Sequence, residues 1–153
     1  MDLDGFALPV KNLKGTDPVE TLDLSRKSLC VASAVVIASL IGANGGLTAL
    51  DLSNNNLKDE GVSAVCKAIQ SNKETKLASL NFGNNGISPV GANAVAAMVA
   101  VTGSLTSIDL SGNKLCGVWT DDPYWGQQGN YTAEGITAIA DALRVNGALT
   151  KIE

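Results

Sequence analysis

Residues Leu47 to Gly61 read LTALDLSNNNLKDEG. Apolar side chains occupy positions 1, 4, 6 and 11 of this stretch (Leu47, Leu50, Leu52 and Leu57), and Asn55 occupies position 9. Working outward from it, the same template recurs. Leu77, Leu80, Phe82, Asn85 and Ile87 fill it once more, and Leu105, Ile108, Leu110, Asn113 and Leu115 fill it again. Upstream, Val19, Leu22, Leu24 and Leu29 fit with Lys27 in the asparagine place, while Leu149 and Ile152 open a fifth copy. The starts at 19, 47, 77 and 105 are 28, 30 and 28 residues apart. Side chains alternate along a strand, so positions 4 and 6 point the same way and send two apolar residues per copy into a core.

Each template is followed by helical spacing. Val62, Val65, Cys66 and Ile69 fall on one helix face. Shifting by the repeat offsets predicts the same stripe at Ala34, Ile37, Ala38 and Ile41, at Ala92, Val95, Ala96 and Val99, and at Ile136, Ile139, Ala140 and Leu143. Asp59 and Glu60 open the second helix, where the dipole favours negative charge, and Asn72 or Gly147 supplies a stop.

LTALDLSNNNLKDEG and LTSIDLSGNKL, the latter at Leu105 to Leu115, resemble the leucine-rich repeat family, and the 28-residue period with a full helix resembles its ribonuclease-inhibitor-like subclass. The resemblance covers residues 19 to 153. It implies an α/β solenoid with a parallel sheet on the concave side, helices on the convex side, and about four repeats plus a partial fifth. The divisions are 19–46, 47–76, 77–104, 105–148 and 149–153, preceded by an extension or cap over 1–18. The resemblance also implies a structural ladder of Asn55, Asn85 and Asn113, each bonding the backbone of neighbouring coils. Lys27 has no side-chain acceptor, so the first repeat should end that ladder or use other groups. Strands spaced about 4.8 Å apart and helices about 8–10 Å apart force the stack to curve, leaving positions 2, 3, 5, 7 and 8 on the concave surface.

Two features depart from a bland scaffold. Position 5 reads Asp23, Asp51, Asn81, Asp109 and Glu153, a largely acidic row that a basic protein surface would complement; the same row also suits an ordinary solvated strand face. The fourth repeat runs 44 residues from Leu105 to Leu149, 16 beyond the usual 28. The excess, roughly 116–132, holds Trp119, Tyr124, Trp125 and Tyr131, all the tryptophans and tyrosines of the chain. Aromatics on a loop beside a rigid scaffold suit an interface, and they equally suit a loop packed on its own coils.

Composition narrows the function classes. Hydrophobic residues at 45% with 17% charged exclude a disordered chain. A net charge of -4 argues against nucleic acid, which requires clustered lysine and arginine. Met1 to Gly5 is acidic where a secretory signal is basic, and the apolar run from Leu29 to Ile41 is too short to span a bilayer. Cys30, Cys66 and Cys116, an odd number without metal spacing, suit free thiols in a reducing, intracellular setting.

The chain contains no histidine, which removes the commonest general base and every histidine metal motif. Adjacent Asp121 and Asp122 fall short of the six or more oxygens calcium takes, so no metal and no cofactor are expected. Gly42 to Gly46 follows a helix and lacks a Gly-Lys-Ser/Thr ending, so it reads as a turn rather than a phosphate cradle. Arg26 and Arg144, the only arginines, read as surface residues. The open fifth strand favours a subunit of a larger complex. The expectation is therefore a non-catalytic protein-interaction or structural scaffold; the alternative is a regulator of an enzyme, of the GTPase-activating or inhibitor type.

Overall fold

The computed structural model describes residues 2–3, 5–120, 124 and 126–153. The repeats form a five-stranded parallel sheet of β3 (Thr21–Asp23), β4 (Ala49–Asp51), β5 (Ser79–Asn81), β6 (Ser107–Asp109) and β9 (Lys151–Ile152), in that order. Consecutive strands are parallel because each is followed by a returning helix. These are α2 (Val31–Ile41), α3 (Lys58–Ser71), α4 (Pro89–Val101) and α5 (Glu134–Val145). Helices pack on helices and strands on strands in sequence order, the nearest-neighbour architecture of a solenoid. The fold is the α/β leucine-rich-repeat array that the resemblance implied.

Register follows the template. Leu22, Leu50, Leu80, Ile108 and Ile152 are successive partners across the sheet, and so are Asp23, Asp51, Asn81 and Asp109. Leu50, Leu52, Leu80, Phe82, Ile108 and Leu110 are buried as the alternation requires. After each strand, position 8 takes the left-handed conformation at Arg26, Asn54, Asn84 and Gly112, with φ of 55°, 56°, 53° and 66°. Asparagine and glycine tolerate that region best, which explains three of the four residues found there.

The helical stripes of α2, α3 and α4 are buried at every expected position. The fourth stripe departs from expectation. Ile139 is buried, but Ile136 is 47% exposed, Ala140 is exposed and Leu143 is half-buried, while Gly135 and Ala142 take buried places. In the first three helices these positions gain cover from the next coil, and no further helix among the described residues packs on α5. The stop of α5 also differs: the helix ends at Val145 with Asn146 as its cap, one residue ahead of Gly147.

Before the first repeat, β1 (Asp2–Leu3) pairs antiparallel with β2 (Phe6–Ala7), and α1 (Val10–Lys14) packs against α2. Leu8 and Leu13 join the continuous core, Leu13 with no exposed surface. In the insertion, β7 (Val118–Trp119) pairs antiparallel with β8 (Gln128–Gly129). Among the described residues, no helix is long and apolar enough to cross a membrane.

Candidate protein-binding surface

The position 9 asparagines do the same work in each coil. Asn55 Oδ1 accepts from the backbone N–H of Lys27 (3.1 Å) and Leu29 (3.0 Å), and its Nδ2 donates to the carbonyls of Leu24 and Leu52, each at 2.9 Å. Asn85 Nδ2 donates to Leu52 (2.9 Å) and Phe82 (3.2 Å), and its Oδ1 accepts from Leu57 N–H (3.3 Å). Asn113 repeats the pattern with Asn85 and Ile87 N–H and the carbonyls of Phe82 and Leu110. Each carboxamide satisfies main-chain groups that a buried turn would otherwise strand. Lys27 stands at the first rung, where its N–H is held by Asn55 and its ammonium lies 5.3 Å from the Phe6 ring centroid.

A second ladder lies at the helix exits. Asn44 Nδ2 donates to the carbonyls of Asn12 (2.9 Å) and Leu13 (3.1 Å), Asn72 Nδ2 to Ile41 (3.2 Å) and Asn44 (2.8 Å), and Asn146 Nδ2 to Val99 (2.5 Å) and Thr102 (3.2 Å). Its sequence signal is position 26 of every repeat, once the 16 inserted residues are discounted; the third repeat has Thr102 there. Asp59 makes a further tie between coils. Its Oδ1 accepts from Ser88 N–H (2.8 Å) and Gly91 N–H (3.1 Å), and its Oδ2 from Ser88 Oγ (2.6 Å), so a residue of α3 holds the start of α4.

These ladders position the concave face. Asp23, Asp51, Asn81 and Asp109 each accept through Oδ1 the N–H two residues on, at 2.8–2.9 Å, from Ser25, Ser53, Gly83 and Ser111. Position 5 is therefore first a turn former, which explains an Asp or Asn in four successive coils. The second oxygen of Asp51 accepts from Asn81 Nδ2 at 3.3 Å. The hydroxyl and backbone N–H of Ser25 hold the Asp23 carboxyl below its ordinary 3.8, so it stays ionised. Small neighbours flank the row: Thr21, Ala49 and Ser79 line, with Asp23, Asp51 and Asn81, an open concave cleft of about 300 Å³. Glu153 stands apart, exposed and paired with Lys151.

The insertion divides its aromatics. Trp119 is half-buried, with Lys114 Nζ 4.1 Å from its ring centroid, and Gly129 lies so close that an added Cβ would stand 2.5 Å from the ring. Tyr124 and Tyr131 are 93% and 74% exposed. Trp125, Asp121 and Asp122 lie outside the described residues. Among the described residues, no three metal-ligating side chains cluster. Cys66 is buried, which pushes its thiol up to about 12, while Cys30 and Cys116 are partly exposed, and none of the three is joined in a disulfide.

Comparison with known proteins agrees with this geometry. Models described as leucine-rich repeat match residues 47–66 and 73–96, and a second such model matches 104–124. The fold and its asparagine ladders define a leucine-rich repeat solenoid, and the chain belongs to that family. Within it, the chain belongs to the ribonuclease-inhibitor-like subclass. It is 33% identical over 147 residues to the ribonuclease inhibitor of Mus musculus, covering 88% of this chain and 32% of that protein. It is 31% identical over 111 residues to RAN GTPase-activating protein 2 of Arabidopsis thaliana, covering 72% and 20% respectively. The chain thus spans a fifth to a third of the length of these relatives. The solved structure of leiomodin-1 actin-binding site 2 shares the fold, with a TM-score of 0.74 at 19% identity, covering 94% of this chain and 75% of that one.

Proposed function

We propose that this chain is a non-catalytic protein-interaction scaffold, part of a larger intracellular assembly, whose concave face receives a basic protein surface. The observation that carries the reading is the file of Asp23, Asp51, Asn81 and Asp109 on adjacent strands, flanked by side chains too small to obstruct a partner. Opposed charge steers encounter and selects partners more than it adds affinity. The exposed Tyr124 and Tyr131 give the same partner, or a second one, an aromatic anchor at the insertion. The segment 1–18 acts as the cap of the first coil, through Leu8, Leu13 and the carbonyls that Asn44 engages.

The test neutralises the row without removing its turns. Asp23→Asn, Asp51→Asn and Asp109→Asn together keep a side-chain acceptor at each turn, as Asn81 already does. Proteins captured by the wild-type chain should be basic, should dissociate with salt, and should be lost by the triple variant at unchanged melting temperature. Equal capture by both chains overturns the concave reading. The likeness to a GTPase-activating relative favours regulation of an enzyme as the second reading. Faster GTP hydrolysis by Ran on adding the chain would replace the scaffold with that regulator.

A further inference from the structure

The helix-exit ladder is broken at one coil, and the break is open. Where Asn44, Asn72 and Asn146 reach back to the preceding segment, Thr102 turns its hydroxyl into its own helix and donates to the Met98 carbonyl at 2.8 Å. The carbonyls of Ile69 and Asn72, which correspond to those of Ile41 and Asn44 one coil earlier, accept the backbone N–H of Asn72 (3.2 Å) and Thr75 (3.4 Å) but receive no carboxamide N–H among the described residues. The donor side is vacant too. Asn44 Oδ1 accepts from Gly46 and Leu47 N–H at 2.9 and 3.1 Å, and Asn146 Oδ1 from Ala148 and Leu149 N–H at 2.7 Å each. The equivalent N–H groups of Ser104 and Leu105 meet no acceptor among the described residues.

A cleft of about 280 Å³ opens at this place, bordered by Ile69, Asn72 and Thr75 on the second coil and by Thr102, Gly103 and Ser104 on the third. The second repeat is the 30-residue one, and its loop beside the break is two residues longer than the equivalent loop of the first. A Cβ placed on Gly103 would meet nothing within 4 Å, whereas one on Gly45, at the same repeat position, would stand 3.2 Å from the Glu74 carbonyl. The site is thus an unfilled carboxamide position: two main-chain carbonyls that lack the carboxamide donor of their counterparts, and two successive main-chain N–H groups, at Ser104 on the cleft border and at buried Leu105 next to it, with no acceptor among the described residues.

We propose that this cleft is a binding slot for a primary carboxamide, carried by an asparagine or glutamine side chain of a bound polypeptide. The amide NH2 donates to the carbonyls of Ile69 and Asn72, and the amide oxygen accepts from Ser104 and Leu105, as the chain's own asparagines do in the neighbouring coils. Leaving the Ser104 and Leu105 N–H groups without an acceptor is unfavourable, so a ligand that pairs both and also donates to the free lone pairs of the two carbonyls is selected over one that does only half of this. The slot lies at the helix exits, away from the concave acids, and does not rest on the reading given to them.

Acetamide and N,N-dimethylacetamide probe it directly, since only the first carries N–H donors. In 1H–15N spectra of the whole chain, the Ser104 and Leu105 amide resonances should shift saturably with acetamide and stay in place with dimethylacetamide. Thr102→Asn should fill the slot from within, abolish the acetamide shift and raise the melting temperature. Equal shifts with both amides, no shift at these two residues, or a shift that survives in Thr102→Asn overturns the proposal. If Thr102→Asn does not fold, the pair of wild-type titrations decides alone.

Discussion

The ammonium nitrogen of Lys114 lies 4.1 Å from the centroid of the Trp119 ring, so the last residue but one of the third full template closes over the first strand of the insertion. A cation over an indole contributes about 0.5–1 kcal/mol at such a site, and burial of half the ring adds to it. Trp119→Ala should therefore cost about 2 kcal/mol and lower the melting temperature by roughly 4–8 °C. Tyr131→Ala, at a residue 74% exposed, should leave the melt unchanged and weaken partner binding. Equal losses of stability in the two variants would contradict this division of the aromatics.

Asn85 is 1% exposed and bonds main-chain groups of two coils. Asn85→Ala should cost about 3 kcal/mol, because it strands buried carbonyls and a buried N–H as well as removing the bonds. Urea melts would show a lower midpoint with little change in slope. Asn56→Ala, at an exposed position outside the left-handed region, is the control and should be nearly silent.

Much of this was legible in the residues. The template at Leu47 to Leu57 dictated strand, turn and helix, because alternation and helical spacing are each set by backbone geometry. Ile136, Ala140 and Leu143 were misjudged for a physical reason: a stripe reports what a helix face is able to bury, and burial also requires a neighbouring coil. The helix-exit ladder was written at position 26, but Asn44 and Asn72 look like ordinary turn and stop residues until their reach across coils is seen. The position 5 acids carry two meanings in one side chain, a turn acceptor and a surface charge, and sequence alone does not separate them.

Gly91 sits inside α4, where alanine ordinarily gains about 1 kcal/mol of helix propensity. Here an added Cβ would stand 2.4 Å from Asp59 Oδ1 and 2.7 Å from Ile87 Cγ2. Gly91→Ala should therefore destabilise, by about 1–3 kcal/mol as overpacking does, whereas Ser71→Ala, at an exposed position of α3, should not. A thermal melt of each variant checks the sign.

Burial of Cys66 pushes its thiol up to about 12, so at pH 8 almost no thiolate is present to react. Mass spectrometry after native iodoacetamide treatment should find Cys66 unmodified and Cys30 and Cys116 labelled. Denaturation before labelling should modify all three.

The Asp23 carboxyl titrates below its ordinary 3.8, so the folded state binds its proton less readily than the unfolded chain. That stabilisation is present above the unfolded value and is lost as pH falls through the lower, folded one. The melting temperature of the wild type should drop further in this acid window than that of Asp23→Asn. Identical acid profiles would remove Asp23 from the account.

Every ladder asparagine, Asn55, Asn85, Asn113, Asn44, Asn72 and Asn146 alike, fastens the segment that precedes it. Locking thus runs against the direction of synthesis: a coil leaving the ribosome is only loosely held until the next one emerges and its carboxamide closes the earlier turn. The array is suited to vectorial assembly, one coil in arrears of translation, with its most recently made segment always the most pliable.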